Sequence, residues 1–375
     1  MPKIKIYETY EPTVNIPEEE LSVYVPILTT AAVATAIYRD VKSFVTAFPM
    51  GESATDGTIM AYNLIKSGYT VVAEGVVSGD TKSAERTKEL SDKYLYDLRF
   101  LSSGDFPAAE GEMSTMQETI AEVATKRGDC VALTDASGKT KLSTSPFGQS
   151  VNPEFVAMFY PECTMKVVTA ATETTETQGT KLLPAHYAYL VAFISSLLKG
   201  NPEWMAVAGS VRGVIPGLVS VSTRLGSADV DALQCRTDEL DGADDNKGCA
   251  VNPICNINPY GDIIWGNRTA KLNTGVLEAT SFLNVRNLIS TVKKTVFMAA
   301  KRYTFEQNDD ILWLNFTSSI TPTLDRMMSG SGIGGYKIIK QKTNKKARLK
   351  AKIQIIPIEA VEDFEIEVEI ANAEL

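Results

Sequence analysis

The chain of 375 residues carries a single histidine, His186. Any chemistry that needs an imidazole therefore rests on that one ring, whether a Ser-His-Asp hydrolase, a His-based zinc site or a proton shuttle. No GxSxG elbow accompanies it, and a solitary histidine at the start of a helix reads as a structural residue. Gly330, Gly332 and Gly335 spell GxGxxG. A dinucleotide site needs strand, glycines, helix in that order, so that phosphate meets a helix N-terminus. Here the order is helix, glycines, strand, which is a C-cap and turn. The run SGKT at 137–140 ends like a phosphate loop, but Leu133 stands where the first glycine is required, so the anion nest is not built. Arg127, Gly128 and Asp129 spell a cell-adhesion tripeptide between a helix and a buried strand, where no receptor reaches it. Asp238, Asp241, Asp244 and Asp245 lack the alternate oxygens and distal glutamate of a calcium loop. Cys130, Cys163, Cys235, Cys249 and Cys255 form no CxxC pair and are odd in number, as fits reduced thiols. No catalytic residue, cofactor site or metal site is expected.

The elements around these residues read as α/β. Apolar or β-branched runs at 23–28, 70–77, 97–104, 130–135, 155–161 and 166–171 alternate with helical patterns near 39–47, 57–67, 81–93, 112–127 and 184–199. That alternation predicts a mostly parallel sheet with helices on both faces. Residues 226–248 are acidic and glycine-bearing and are expected to form a surface loop. Beyond them lies 248–269, GCAVNPICNINPYGDIIWGNRT, unusual in composition and without catalytic chemistry. Phe282, Val285, Ile289, Val292, Val296, Ala299 and Tyr303 then recur at threes and fours, predicting a helix over 281–303 with Arg286, Lys293, Lys294, Lys301 and Arg302 off the apolar stripe. A second helix is expected over 309–328.

Charge is distributed unevenly. The net formal charge is −9 with a pI near 5.0, which argues against nucleic acid or an anionic membrane as the main partner. Yet residues 263–352 hold 16 Lys and Arg against 5 Asp and Glu, and 353–375 hold 7 acids and no base. Strand patterns at 347–356 and 364–370 put a basic row on one and an acidic row on the other. They can pair with each other or add to a neighbouring chain's sheet edge. A further strand pattern, 3–9, precedes a proline-punctuated linker. No signal-peptide pattern opens the sequence, and the longest apolar run, from Tyr187 to Leu198, is too short to cross a bilayer.

At this point 251–336 resembles the C-terminal region of the contractile tail sheath protein family of bacteriophages and related injection machines. The motifs are VNPI at 251–254, Gly261, WGNRT at 265–269, NVRN at 284–287, FEQND at 305–309, Leu312 with Trp313, and a glycine-rich turn before Tyr336. Weaker matches lie upstream at 61–72, 98–107, 126–136, 158–163 and 206–217. The family signature thus falls on Asn252, Pro253, Trp265, Gly266, Arg268, Thr269, Asn284, Arg286, Phe305, Asn308, Asp309 and Trp313.

The resemblance implies a structural subunit, not an enzyme, that stacks as hexameric rings around a tail tube and contracts to drive the tube through a cell envelope. It implies a subtilisin-like α/β domain without a catalytic triad, plus a smaller α+β C-terminal domain and strand-bearing arms. The corresponding boundaries are 1–22 for the N-terminal arm and linker, 23–262 for the outer domain, 263–356 for the inner domain and 357–375 for the C-terminal arm. Ile4, Ile6, Phe364, Ile366, Val368 and Ile370 are the expected inter-subunit arm positions, and Lys293, Lys294 and Lys301 the expected tube-facing ones. Trp265 and Arg268 are expected to fix the passage between domains. The implied partners are further copies of the chain, a tail tube protein, and baseplate and tail terminator proteins, with no nucleic acid and no direct membrane insertion. The implied location is a virion tail or injection particle assembled in the bacterial host cytoplasm. An α/β enzyme with an unrecognised site and a monomeric binding module are the alternatives of a different class.

Overall fold

A computed structural model describes residues 21–51, 53–80, 84–107, 114–138, 145–235, 248–273, 278–342 and 348–360. The expected arm strands at 3–9 and 364–370, and most of the acidic 226–248 stretch, lie outside the described residues. Among the described residues the chain divides into two units, 21–290 with 357–360, and Thr291–Ile356.

In the larger unit the chain order is β1 (Ser22–Leu28), β2 (Val33–Tyr38), α1 (Val41–Ala47), α2 (Asp56–Ser67), β3 (Thr70–Val76), α3 (Ala84–Ser91), β4 (Phe100–Ser102), α4 (Thr115–Arg127), β5 (Val131–Asp135) and β6 (Val156–Tyr160). It continues through β7 (Cys163–Ala171), β8 (Glu176–Leu183), α5 (Ala185–Leu198), α6 (Gly209–Arg212), β9 (Leu218–Val221), α7 (Ser227–Gln234), β10 (Gly248–Cys249), β11 (Asn252–Ile257), β12 (Gly261–Ile264) and β13 (Leu272–Asn273). α8 (Leu283–Arg302) begins in this unit and ends in the smaller one, which adds α9 (Asp310–Ser329), β14 (Ile333–Lys340) and β15 (Ala351–Pro357).

The main sheet has eight strands in the order β12-β11-β6-β5-β4-β1-β3-β2. Its six inner strands run parallel, and β12 and β2 close the two edges antiparallel. Strict side-chain alternation explains the continuous apolar runs. Val23, Val25, Val131, Leu133, Ala157 and Phe159 pack with α2 and α5 on one face. Tyr24, Leu101, Ala132, Val156 and Met158 pack with α4 and α7 on the other. Both faces are covered, so neither face of the inner strands needs polar residues.

Caps set the helix ends where the sequence places them. Ser114 and Gln117 form a reciprocal capping box at the start of α4, and Gly128 is its left-handed C-cap. The adhesion-like tripeptide is thereby explained as structure. Arg127 is buried, its Nε donates to Asp129 Oδ1 at 3.0 Å, and its Nη atoms donate to the carbonyls of Leu90 and Tyr96.

Three differences from the sequence reading stand out. β2, β8 and β9 add strands where no strand was expected, and the start of the acidic stretch is helical, as α7. The expected boundary after residue 262 falls inside β12, which is hydrogen-bonded into the main sheet, and the two units divide after Ser290 instead.

In open α/β sheets ligands bind at the carboxyl ends of strands where the strand order reverses. Here that place lies between β1 and β4, and the chain itself fills it. Asp105 accepts from Leu28 N at 2.8 Å and from Gly57 N at 2.5 Å, and burial pushes its carboxyl above the usual range. Gly104 has φ +55, and a Cβ built on it would lie 1.9 Å from the Pro26 carbonyl oxygen. Gly104→Ala is therefore expected to cost about 2–4 kcal/mol, from left-handed strain plus a clash with backbone. The urea midpoint of the purified chain measures it.

Candidate functional site

The expected junction is built at one edge of the main sheet. β11 and β12 form a hairpin pairing Ile254 with Ile264 and Ile257 with Gly261, and β11 lies parallel to β6 through Asn252 and Pro253. Asn252 is fully buried. Its Nδ2 donates to the carbonyls of Met158 at 3.0 Å and Arg268 at 2.8 Å, and its Oδ1 accepts from Arg268 N at 2.7 Å. Trp265 N donates to Pro253 O at 2.8 Å. Gly266 is required by close approach, because a Cβ there would sit 2.8 Å from Asn252 Oδ1 and 2.9 Å from Asn252 Cα.

The following residues carry this hold to α8. Asn267 and Asn284 exchange hydrogen bonds, Nδ2 to Oδ1 at 2.7 Å and Asn284 N to Asn267 Oδ1 at 3.1 Å. Thr269 N donates to Ser281 O at 2.8 Å and its Oγ1 to Thr280 O at 3.0 Å. The Arg268 guanidinium lies 5.0 Å from the Phe282 ring, and that of Arg286 lies 4.3 Å from Phe155 and 3.1 Å from Glu154 Oε1. Burial pulls the Arg286 guanidinium below its ordinary range while Glu154 opposes the shift.

The structure thus brings Asn252, Pro253, Trp265, Gly266, Arg268, Thr269, Asn284 and Arg286 into one network within the larger unit. Trp265 joins through its backbone and is itself half-buried. The remaining signature residues lie in the smaller unit. Asp309 caps α9, its Oδ1 accepting from Leu312 N at 2.8 Å. Trp313 packs 6.1 Å from Phe316. Asn308 and Phe305 are exposed, Phe305 wholly so and with φ +78. Of the tube-facing candidates, Lys293 and Lys301 are exposed, and Lys294 is only 4% exposed. The arm positions Ile4, Ile6, Phe364, Ile366, Val368 and Ile370 lie outside the described residues.

Sequence reasoning missed the partners of His186. Ser102, at the end of β4, places Oγ 2.7 Å from His186 Nε2, and Asp135, at the end of β5, places Oδ2 2.6 Å from Nδ1. His186 N donates to Asp135 Oδ1 at 2.9 Å, and Gly104 N donates to Ser102 Oγ at 3.0 Å. The network assigns Nδ1–H to the carboxylate and leaves Nε2 to accept from the hydroxyl. The resemblance implied a domain without a triad, yet a Ser-His-Asp relay is present, in the chain order Ser, Asp, His. His186 and Ser102 have no exposed surface and Asp135 is 7% exposed. A hydrolase needs its nucleophile within reach of a substrate, and this hydroxyl has none. The relay holds the N-terminus of α5 to the ends of β4 and β5. Its partners sit 84 and 51 residues from the histidine, so no local pattern could have revealed it.

Among the described residues no cluster of metal-ligating side chains occurs, and no helix is long and apolar enough to cross a membrane.

No family model matches the chain. A stretch of 144 residues, 38% of this chain, is 29% identical to the tail sheath protein of Vibrio phage KVP40 and covers 19% of that protein. The chain therefore spans about a fifth of the length of the curated relative it matches. Among solved structures, the chain is similar to one in the PVC sheath complex of an extracellular contractile injection system in its contracted state. The TM-score is 0.67 at 15% identity, covering 98% of this chain and 97% of that one. It is similar also to the helical sheath of the anti-feeding prophage in its contracted state, with TM-score 0.62, 15% identity and 98% of both chains covered. A chain of the anti-feeding prophage baseplate gives TM-score 0.65 at 14% identity over 99% of both. The solved structures show a shared mixed α/β fold.

Three substitutions test the two buried networks. Asn252→Ala removes three buried hydrogen bonds and is expected to destabilise the chain by about 2–4 kcal/mol. His186→Ala strands Asp135 and Ser102 in the core at about 3–5 kcal/mol, while Ser102→Ala costs about 1–2 kcal/mol. Denaturant titration reads all three. Labelling of native protein by a fluorophosphonate at Ser102 would contradict the sealed relay.

Proposed function

We propose that this chain is a structural subunit of a contractile sheath, with no catalytic role. Copies stack as hexameric rings around a tail tube and shift from an extended to a contracted packing that drives the tube through a cell envelope. The observation that carries the reading is the fold shared with contractile sheath chains along almost the whole length of both. The sealed Ser-His-Asp relay supports the structural side of it. Energy resides in the difference between two packings of the same folded subunit, and no nucleotide is required.

Under this reading the larger unit is the subtilisin-like α/β scaffold, and the 3–9 and 364–370 arms add strands to neighbouring copies through backbone pairing. Flexible linkers then let each copy rotate without breaking the mesh. The outward row Arg348, Lys350 and Lys352 beside and along β15 is exposed, and the alternate row Leu349, Ala351, Ile353 and Ile355 is half-buried. That row suits an acidic strand such as 364–370. Lys293 and Lys301 are the tube-facing residues of choice, since a contact that must release is well served by exposed, salt-sensitive ion pairs. Baseplate and terminator proteins are the partners at the two ends of the stack, and assembly proceeds in the host cytoplasm before the tail or injection particle acts outside it.

Electron microscopy of the purified chain is expected to show long hollow cylinders, whereas a monomer persisting at high concentration would overturn the reading. Deleting 1–9 or 364–375 is expected to abolish cylinders and leave the circular dichroism of the folded chain unchanged. For the tube contact, Lys293→Glu with Lys301→Glu is expected to weaken co-assembly with tube protein at least tenfold while free chains stay folded. Unchanged co-assembly would move the contact elsewhere.

A further inference from the structure

Two buried thiols flank the acidic segment, Cys235 before it and Cys249 after it. Leu233, in the last turn of α7, accepts from Val251 N at 2.8 Å. Cys235 lies two residues beyond Leu233 and Cys249 two before Val251, so this bond brings the backbones that carry the two cysteines into one neighbourhood. A second tie makes the same placement independently. Asn273 pairs with Gly248 across β10 and β13, and its Nδ2 donates to Cys235 O at 3.0 Å. Cys235 is the C-cap of α7 in a left-handed conformation, φ 46, which turns the chain off the helix axis. Its Sγ lies 3.8 Å from Ala232 O. The two side chains are 1% and 0% exposed. Burial first, and the neighbouring Cys235 second, push the Cys249 thiol up to about 12.

We propose that Cys235 and Cys249 are a latent disulfide pair that closes the base of residues 236–248 once the chain meets an oxidising medium. Both S–H bonds break and one Sγ–Sγ bond forms. The two electrons and two protons pass to a small two-electron oxidant, such as a diazene, which leaves as the hydrazine. The bond converts the fifteen residues from Cys235 to Cys249 into a covalent ring and ties α7 to β10, beside the Asn252 junction. Chain-entropy arguments give such a closure a stabilising sign, and disulfides persist where the medium is oxidising. The inference concerns this chain's own thiols and holds whether or not the sheath reading does.

The test treats the folded full-length chain with diamide, alkylates the remaining thiols under denaturing conditions and maps the peptides by mass spectrometry. The expected product is a Cys235–Cys249 cross-link, two hydrogens lighter per chain, with Cys130, Cys163 and Cys255 fully alkylated. The oxidised chain is expected to melt several degrees higher than the same sample reduced with a phosphine, and Cys235→Ser or Cys249→Ser to lose both the cross-link and the shift. Full alkylation of Cys235 and Cys249 after diamide, or their capture in links to other cysteines, overturns the proposal.

Discussion

One side-chain amide sets the frame for the C-terminal half of the chain. β11 is the last parallel strand of the main sheet, and Pro253 within it has no N–H to give to a neighbour. Asn252 supplies what the strand lacks. An amide carries both donors and an acceptor without charge, so it can close a pair of hydrogen bonds with Arg268 and still reach Met158 on β6. Those bonds require the 265–268 turn to lie flat on the strand, which is why position 266 tolerates no Cβ. From that turn Asn267 and Thr269 fix the residues that open α8. The NP and WGNR parts of the motif are one device, in which each residue type answers a geometric need of the other.

This explains which parts of the fold were legible in sequence. Inner strands such as β3, β5 and β6 announce themselves as unbroken apolar runs because both faces are covered. β2 was not legible because it is an edge strand of small, half-exposed residues with a register shift between Val33 and Ala36. β8 is polar and largely exposed, so its alternation carries little hydrophobic signal. The signature residues were picked out through the family resemblance, which did not give their contacts. That Arg268 stacks on Phe282 and Arg286 on Phe155 depends on distant chain meeting in space. The basic character assigned to one side of the 281–303 helix was likewise only half right, since Arg286 and Lys294 are buried.

The Ser102, His186 and Asp135 relay shows how little geometry alone says about activity. Its distances are those expected of a nucleophile, a base and an orienting carboxylate. What differs is the surroundings. The hydroxyl already accepts from Gly104 N and donates to the ring, and no solvent-facing surface remains on it. A buried, hydrogen-bonded polar network fixes the arrangement of the elements that carry it. Here it specifies where α5 starts relative to β4 and β5, and α5 carries Tyr187, Leu190 and Phe193 into the main core.

The described residues of the two units form cores of different extent. The larger unit buries two extensive clusters, one on each face of its sheet. Among the described residues the smaller unit buries Val292, Ala299, Phe316, Ile320, Leu324, Met327 and Ile333, with Val296, Tyr303, Trp313, Ile338, Ala351 and Ile353 partly covered beside them. Among the described residues its sheet pairs two strands, β14 with β15, and a two-stranded sheet gains stability from any strand added to its edge. Under the proposed sheath reading, strands added from other copies would extend this edge on assembly.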